Sequence, residues 1–268
     1  MRLWQAGVVV VASAGNTGPD PMSIRVPGNT PYVITVGATA DNDTPSDGTD
    51  DMLAKFSSAG PTVEGFVKPD FLAPGSLVGL LPSEDCVVMD ALATSDAGFC
   101  QISSTEPLPV SDVDTTWTSI ESFGTVMPEP EPEPTEQGNY RRRSGTSQAT
   151  ALVSGIVALM IQADPAITPD EVKFRLMAGS RPAVDSKGRF VYSVFQQGAG
   201  AVNAVEAAYP RRTGLANQGL DLAADIEGKM HFRGRADRDA DGNYYLAGID
   251  GFMWNDGFMW NDGFTWWP

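Results

Sequence analysis

An α/β fold, with a parallel β-sheet flanked by helices, is what this sequence predicts, and three observations carry the prediction. Val8 to Ala12 and Val33 to Gly37 are short unbroken apolar runs rich in β-branched residues and bounded by glycine turns, the pattern of strands buried on both faces of a parallel sheet. From Ser147 on, Ala149, Leu152, Val153, Ile156, Val157 and Met160 recur at helical spacing. "TPDE" at Thr168 to Glu171 has the form of a capping box, with Pro169 at the first helical position of a further helix running through Met177.

The elements follow in order. The first strand is left at "SAGNTGP", a loop of glycine, asparagine and proline, and the second gives way to "DNDTPSDGTDD", an acidic surface loop. The sheet is expected to resume near Phe56. From Gly75 to Gly138 the periodicity fades, and "PEPEPEP" at Pro128 to Pro134 is too proline-rich and too like-charged to join a core. It reads as a solvated, extended insertion. In the helix after Ser147, the small residues Ser154, Gly155 and Ala158 between the apolar positions predict a central, closely packed element that Asp164-Pro165 stops. Gly198 to Ala208 reads as a turn and a short helix, and after about Arg211 the composition becomes charge-rich before a six-residue Trp-containing repeat begins at Gly251. The organisation expected is an α/β domain over 1–210, interrupted by an insertion at about 76–139, and a separate extension over 211–268.

A chain of 268 residues with 18 Lys+Arg against 34 Asp+Glu carries a formal charge of −16, which excludes a nucleic-acid partner by repulsion. The N-terminal stretch lacks the form of a signal peptide, and no run reads as long enough to span a membrane. Cys86 and Cys100 fit either a short disulfide loop or two free thiols.

Chemistry concentrates in two places. A serine at a helix start has the first-turn amides and the positive end of the dipole beside it, so an oxyanion on its acylated carbonyl would be stabilised there; serine is equally a common helix cap. Ser147 in "SGTSQAT" admits both readings. Asn16, delivered by the end of the first strand, has a side-chain amide able to donate to the same oxyanion, or to serve only as a turn residue. A third signal, "DRDADGN", sets Asp237, Asp239, Asp241 and Asn243 at alternating positions, as a loop wrapping oxygen ligands around Ca²⁺ would; position twelve is Gly248 and not Glu, so an acidic turn is the other reading.

Taken together, "GVVVVASAGNTGP", "VPGNTPYVITVGA", "FSSAGPTVEGFVKPDFLAPG", "SGTSQATALVSGIVALM", "DPAITPDEVKFRLM" and "GAGAVNA" resemble the subtilisin-like serine proteases in family order. The resemblance implies a three-layer α/β/α fold and an extracellular endopeptidase acting on protein or peptide substrates without a cofactor for the chemistry, structural Ca²⁺ being compatible. It makes Ser147 the nucleophile and Asn16 the oxyanion-hole side chain, and it sets Ala14, Gly15, Arg25 and Thr146 along the substrate-binding surface. Arg25 there would favour an acidic substrate side chain, while a surface arginine answering the chain's acidity is the alternative.

Two departures stand out. Ala151 occupies a position where the family usually has proline. The triad in this family runs Asp, His, Ser along the chain, so both partners of Ser147 should precede "SAGN". The one histidine, His231, follows Ser147 and reads as a surface residue. On the resemblance, Met1 falls in a helix leading into an inner strand, so the chain is expected to be the C-terminal part of such a catalytic domain, inactive alone, with the missing N-terminal half as a partner. The competing expectation is a non-catalytic remnant acting as a binding or structural module.

Overall fold

A computed structural model describes residues 1–40, 51–76, 78–80, 86–88, 100–102 and 141–248. The acidic loop at 41–50, the proline-rich stretch and the Trp-rich repeat lie outside the described residues. Two compact units divide the chain: 1–78 with 144–268, and 79–143.

The larger unit opens with α1 (Arg2–Gln5), one turn that buries Trp4, followed by β1 (Val11–Ser13) and β2 (Ile34–Ala40). β3 (Met52–Leu53) and β4 (Phe71–Pro74) complete its sheet. β2 is the centre: it runs parallel to β1, with Val11 opposite Ile34, and parallel to β4, with Val36 opposite Phe71. β3 pairs antiparallel with the end of β2, Thr39 opposite Leu53. The sheet is therefore mixed rather than wholly parallel, because the connection from Ala40 to Met52 is too short to hold a crossover. Phe56, where the sheet was expected to resume, lies in a turn. Nor is the first strand buried on both faces: Val8 is 47% exposed and Val9 to Val11 are half-buried, since β1 has a strand on one edge only among the described residues.

The smaller unit contains β5 (Val78–Leu80, starting in the larger unit), which pairs with β8 (Arg141–Arg143), and β6 (Cys86–Val88), which pairs antiparallel with β7 (Cys100–Ile102).

Back in the larger unit, α2 (Thr146–Ala163) packs on β1, β2 and β4 through Ala149, Val153, Ile156, Val157 and Met160. The spacing predicted this stripe; the structure differs over the other side of the helix. Leu152, Ser154, Gly155 and Ala158 face outward, so α2 is covered on one face and open on the other. This 18-residue helix, with mean hydropathy 1.3 and one third of it buried, is also long and apolar enough to cross a membrane, which corrects the expectation that no run could. Its apolar stripe is used here on the sheet.

α3 (Pro169–Gly179) starts at the predicted capping box: Thr168 Oγ1 accepts from Glu171 N–H, and the Glu171 carboxylate accepts from Thr168 N–H at 2.9 Å. α4 (Val194–Gln197) and α5 (Ala204–Ala208) follow, α5 capped by Asn203. The segment after Arg211, read as separate, is joined to the same unit over its described part. It forms α6 (Leu222–Ile226) and the antiparallel hairpin β9 (Ala236–Arg238) and β10 (Tyr244–Leu246). Ala236 N–H donates to Gly65 O at 2.9 Å, Leu246 enters the core, and the rings of Phe195 and Tyr244 meet edge to face.

A buried polar hub ties these pieces together. Lys68 and Asp70 are fully buried and 2.7 Å apart, and Lys173 of α3 lies 3.5 Å from the other carboxylate oxygen. The two ammonium groups also donate to the backbone oxygens of Pro31, Tyr32 and Val33, and Lys173 to Asn217 Oδ1 at 3.0 Å. Two cations share one anion, and burial pushes the Lys68 ammonium down to about 7.

Candidate active site

The end of β1, the end of β4 and the start of α2 converge. Gly145 N–H donates to Gly75 O at 2.7 Å, which fastens the start of α2 to the turn after β4. A Cβ on Gly75 would lie 2.7 Å from Ala38 Cβ and 2.9 Å from Gly145 O, so the approach requires glycine. The residue was not singled out in the sequence, although a strand ending in "APG" was the available signal.

Ser147 sits in the first turn of α2 and is exposed. It does not cap the helix: Gly145 is the N-cap and no side chain of its own turn takes the role. The end is capped from a distance by Asn16, whose Oδ1 accepts from Thr146 N–H at 2.8 Å and from Thr146 Oγ1–H at 2.9 Å. With Oδ1 so engaged, the amide orientation is determined, and Nδ2 is turned to the other side with no partner among the described residues. Gln148 N–H donates to Gly145 O, which leaves Ser147 N–H as an orphan first-turn donor. Asn16 Nδ2 and Ser147 N–H are thus two N–H groups at the positive end of an 18-residue helix whose first turn carries the exposed Ser147.

Thr146, expected on the substrate-binding surface, is fully buried instead. Its hydroxyl accepts from Gly15 N–H at 3.2 Å while donating to Asn16, so it ties the start of α2 to the end of β1. Ala14 is also fully buried, and its carbonyl accepts from Arg25 N–H. Gly15 has φ +112°, and a Cβ there would lie 2.6 Å from Arg25 Cγ: the Arg25 stem crosses the Gly15 backbone. The guanidinium is exposed, and its Nε donates to Thr17 Oγ1 at 3.1 Å.

His231 is 72% exposed and faces Asp225 of α6, Nδ1 to Oδ1 being 3.5 Å. Tyr32 OH donates to the other oxygen of the same carboxylate. As the single histidine of the chain is occupied there, the base that Ser147 needs is not among the described residues. The "DRDADGN" residues are not gathered as a metal centre either. Asp237 lies on β9 and accepts from Arg238 N–H, while Asp239 closes the hairpin by accepting from Asn243 N–H at 2.7 Å. Asp237 is held on the strand while Asp239 and Asn243 are bonded to each other across the turn, so their oxygens are not gathered around one point. Among the described residues no group of three or more His, Cys, Asp or Glu is placed to hold a metal ion.

The subtilase family model matches residues 2–200. The chain belongs to the subtilase family. It is 38% identical over 201 residues to serine protease AprX of Bacillus subtilis, a match covering 75% of this chain and 35% of that protein. It is 30% identical over 177 residues to proprotein convertase subtilisin/kexin type 9 of Rattus norvegicus, covering 66% of this chain and 16% of that protein. Among solved structures it is similar to fervidolysin from Fervidobacterium pennivorans, described as a keratinolytic enzyme related to subtilisin, at 22% identity and TM-score 0.46, covering 80% of this chain and 24% of that one. This subtilase chain therefore spans about a third or less of the curated relatives it matches, and the family is one of serine peptidases.

Proposed function

We propose that this chain is the nucleophile-bearing part of an extracellular subtilisin-like serine endopeptidase, inactive by itself. The observation that supports the reading is Asn16 Oδ1 bonded to Thr146 at the start of α2, which brings the Asn16 amide to the helix N-terminus that carries the exposed Ser147. With a base supplied by another segment, the Ser147 proton passes to that base as Oγ bonds to the substrate carbonyl carbon, and the carbonyl oxygen takes up the negative charge between the two donors. The C–N bond then breaks with the proton returned to the leaving amine, and water releases the acyl group. No cofactor is needed for these steps. Arg25, held across Gly15 and next to Asn16 in the chain's fold, supports a preference for an acidic side chain on the substrate.

The second reading, a non-catalytic module, draws on the absence of a base beside Ser147 among the described residues. One experiment separates the two. The purified chain should hydrolyse casein no faster than its Ser147→Ala variant. Fusion of the Asp-bearing and His-bearing segments of a subtilase ahead of Met1 should produce hydrolysis that Ser147→Ala abolishes. A fusion that folds, binds peptide and never turns over leaves the module reading.

A further inference from the structure

We infer that Met22 is an oxidation site: hydrogen peroxide converts its thioether to the sulfoxide, and the hairpin β9–β10 is thereby loosened from the loop that carries Arg25. The inference is independent of the reading of Ser147. Met22 stands at φ +61°, a backbone conformation that glycine and asparagine adopt readily and methionine only at a cost. Its side chain supplies a reason for the residue, because Sδ accepts from the Tyr244 hydroxyl at 2.8 Å, across 222 positions of sequence. Four contacts close a ring there. Met22 N–H donates to Gly60 O at 3.2 Å, and Gly60 N–H donates to Phe195 O at 2.8 Å. The Phe195 ring meets the Tyr244 ring edge to face with 6.4 Å between centroids, and Tyr244 returns to Met22. Tyr244 is further held by the Arg238 guanidinium, 5.5 Å from the centre of its ring. Three of the four links are backbone bonds or a ring contact, which mild oxidation leaves alone. The fourth runs through a thioether sulfur, the oxidisable group, in a residue 45% exposed.

The chemistry balances with the peroxide as sole co-reactant. A lone pair of Sδ bonds to one oxygen of hydrogen peroxide and the O–O bond breaks. The departing hydroxide takes up the proton of the transferred oxygen and leaves as water, so sulfur is oxidised by two electrons and the peroxide reduced by two. In the product the sulfur bears partial positive charge, and the new oxygen is the acceptor. With 2.8 Å between Sδ and the tyrosine oxygen, the added oxygen has no room on the line between them. The Tyr244 hydroxyl therefore loses its acceptor or follows the new oxygen away. The change is passed along the loop, since Thr17 Oγ1 donates to Ser23 O at 3.5 Å and accepts from Arg25 Nε at 3.1 Å. The hairpin keeps its other anchors, Ala236 N–H on Gly65 O and the buried Leu246, so the result is a local loosening and not unfolding.

The test treats the full 268-residue chain with dilute hydrogen peroxide, locates sulfoxide by peptide mass spectrometry and reads amide hydrogen exchange over 20–27 and 234–247. Met22 sulfoxide should form, and exchange in both segments should rise about two- to fivefold, the ratio expected when one modest hydrogen bond is lost. A methionine sulfoxide reductase should reverse both changes. Met22→Leu keeps an apolar side chain without sulfur, and its exchange in these segments should not respond to peroxide. Tyr244→Phe keeps the ring and removes the hydroxyl, so the untreated variant should already exchange like the oxidised wild type. The inference is overturned if Met52 and Met230, which are 50% and 51% exposed, are oxidised while Met22 is not. It is also overturned if the Met22 sulfoxide forms and exchange stays the same, or if Met22→Leu responds to peroxide as the wild type does, because another residue is then the sensitive one. Untreated Tyr244→Phe that exchanges like the untreated wild type would equally overturn it, since the bond to Met22 would then hold nothing.

Discussion

Thr146 donates both its backbone N–H and its hydroxyl to the single side-chain oxygen of Asn16, at 2.8 and 2.9 Å. This one relationship caps α2, ties it to the end of β1 and aims the Asn16 amide. Thr146→Val keeps the shape and removes the hydroxyl, leaving Gly15 N–H without its acceptor in a buried place. Stability should fall by about 1–3 kcal/mol, measured by urea unfolding. An unchanged midpoint would show that the link to Gly15 is unimportant.

Asn16→Ala removes the amide directed at charge that forms only in the transition state, so in a base-completed enzyme it should reduce kcat and leave KM nearly unchanged. The scale is the one known for subtilisin itself, where loss of one oxyanion donor costs about 10²–10³-fold. Steady-state kinetics on one peptide series decides it; a rise confined to KM would place Asn16 in ground-state binding.

Lys68 gives the pH dependence. Its folded-state value lies near 7, below the ordinary 10.5, chiefly because burial disfavours the charged form. Between those two values the unfolded chain holds a proton that the folded chain lacks, so stability should rise with pH across this window and fall as pH drops toward 7. The slope should reach at most about 1.4 kcal/mol per pH unit. Urea midpoints taken from pH 7 to pH 10 test this, and Lys68→Met should flatten the curve. A wild-type curve that is already flat would show Lys68 charged throughout.

Asn217 joins the C-terminal segment to the buried hub: its Oδ1 accepts from Lys173, and its Nδ2 donates to Tyr32 O at 3.1 Å and to Asp170 Oδ1 at 2.6 Å. It also sits at φ +59°, a conformation asparagine tolerates better than alanine. Asn217→Ala should cost about 1–3 kcal/mol or more by orphaning these groups. Asn217→Gly should recover the backbone part alone. Calorimetry on the pair separates the two contributions.

The sequence by itself determined the strands around Val11 and Val36, the helix stripe from Ala149 to Met160, and the capping box at Thr168, because each is written in contacts a few residues apart. It also singled out Ser147 and Asn16. Only the tertiary structure could show that Thr146 is buried and bonded to Gly15 and Asn16, since those hydroxyl partners lie more than a hundred residues away. The same holds for the Lys68, Asp70 and Lys173 hub, which reads in sequence as ordinary charge, and for the hairpin that takes up Asp237 and Asp239. The open face of α2 is the clearest case. Helical spacing tells which residues are apolar, but whether Leu152 and Leu159 are covered depends on which other elements reach them, and no local pattern encodes that.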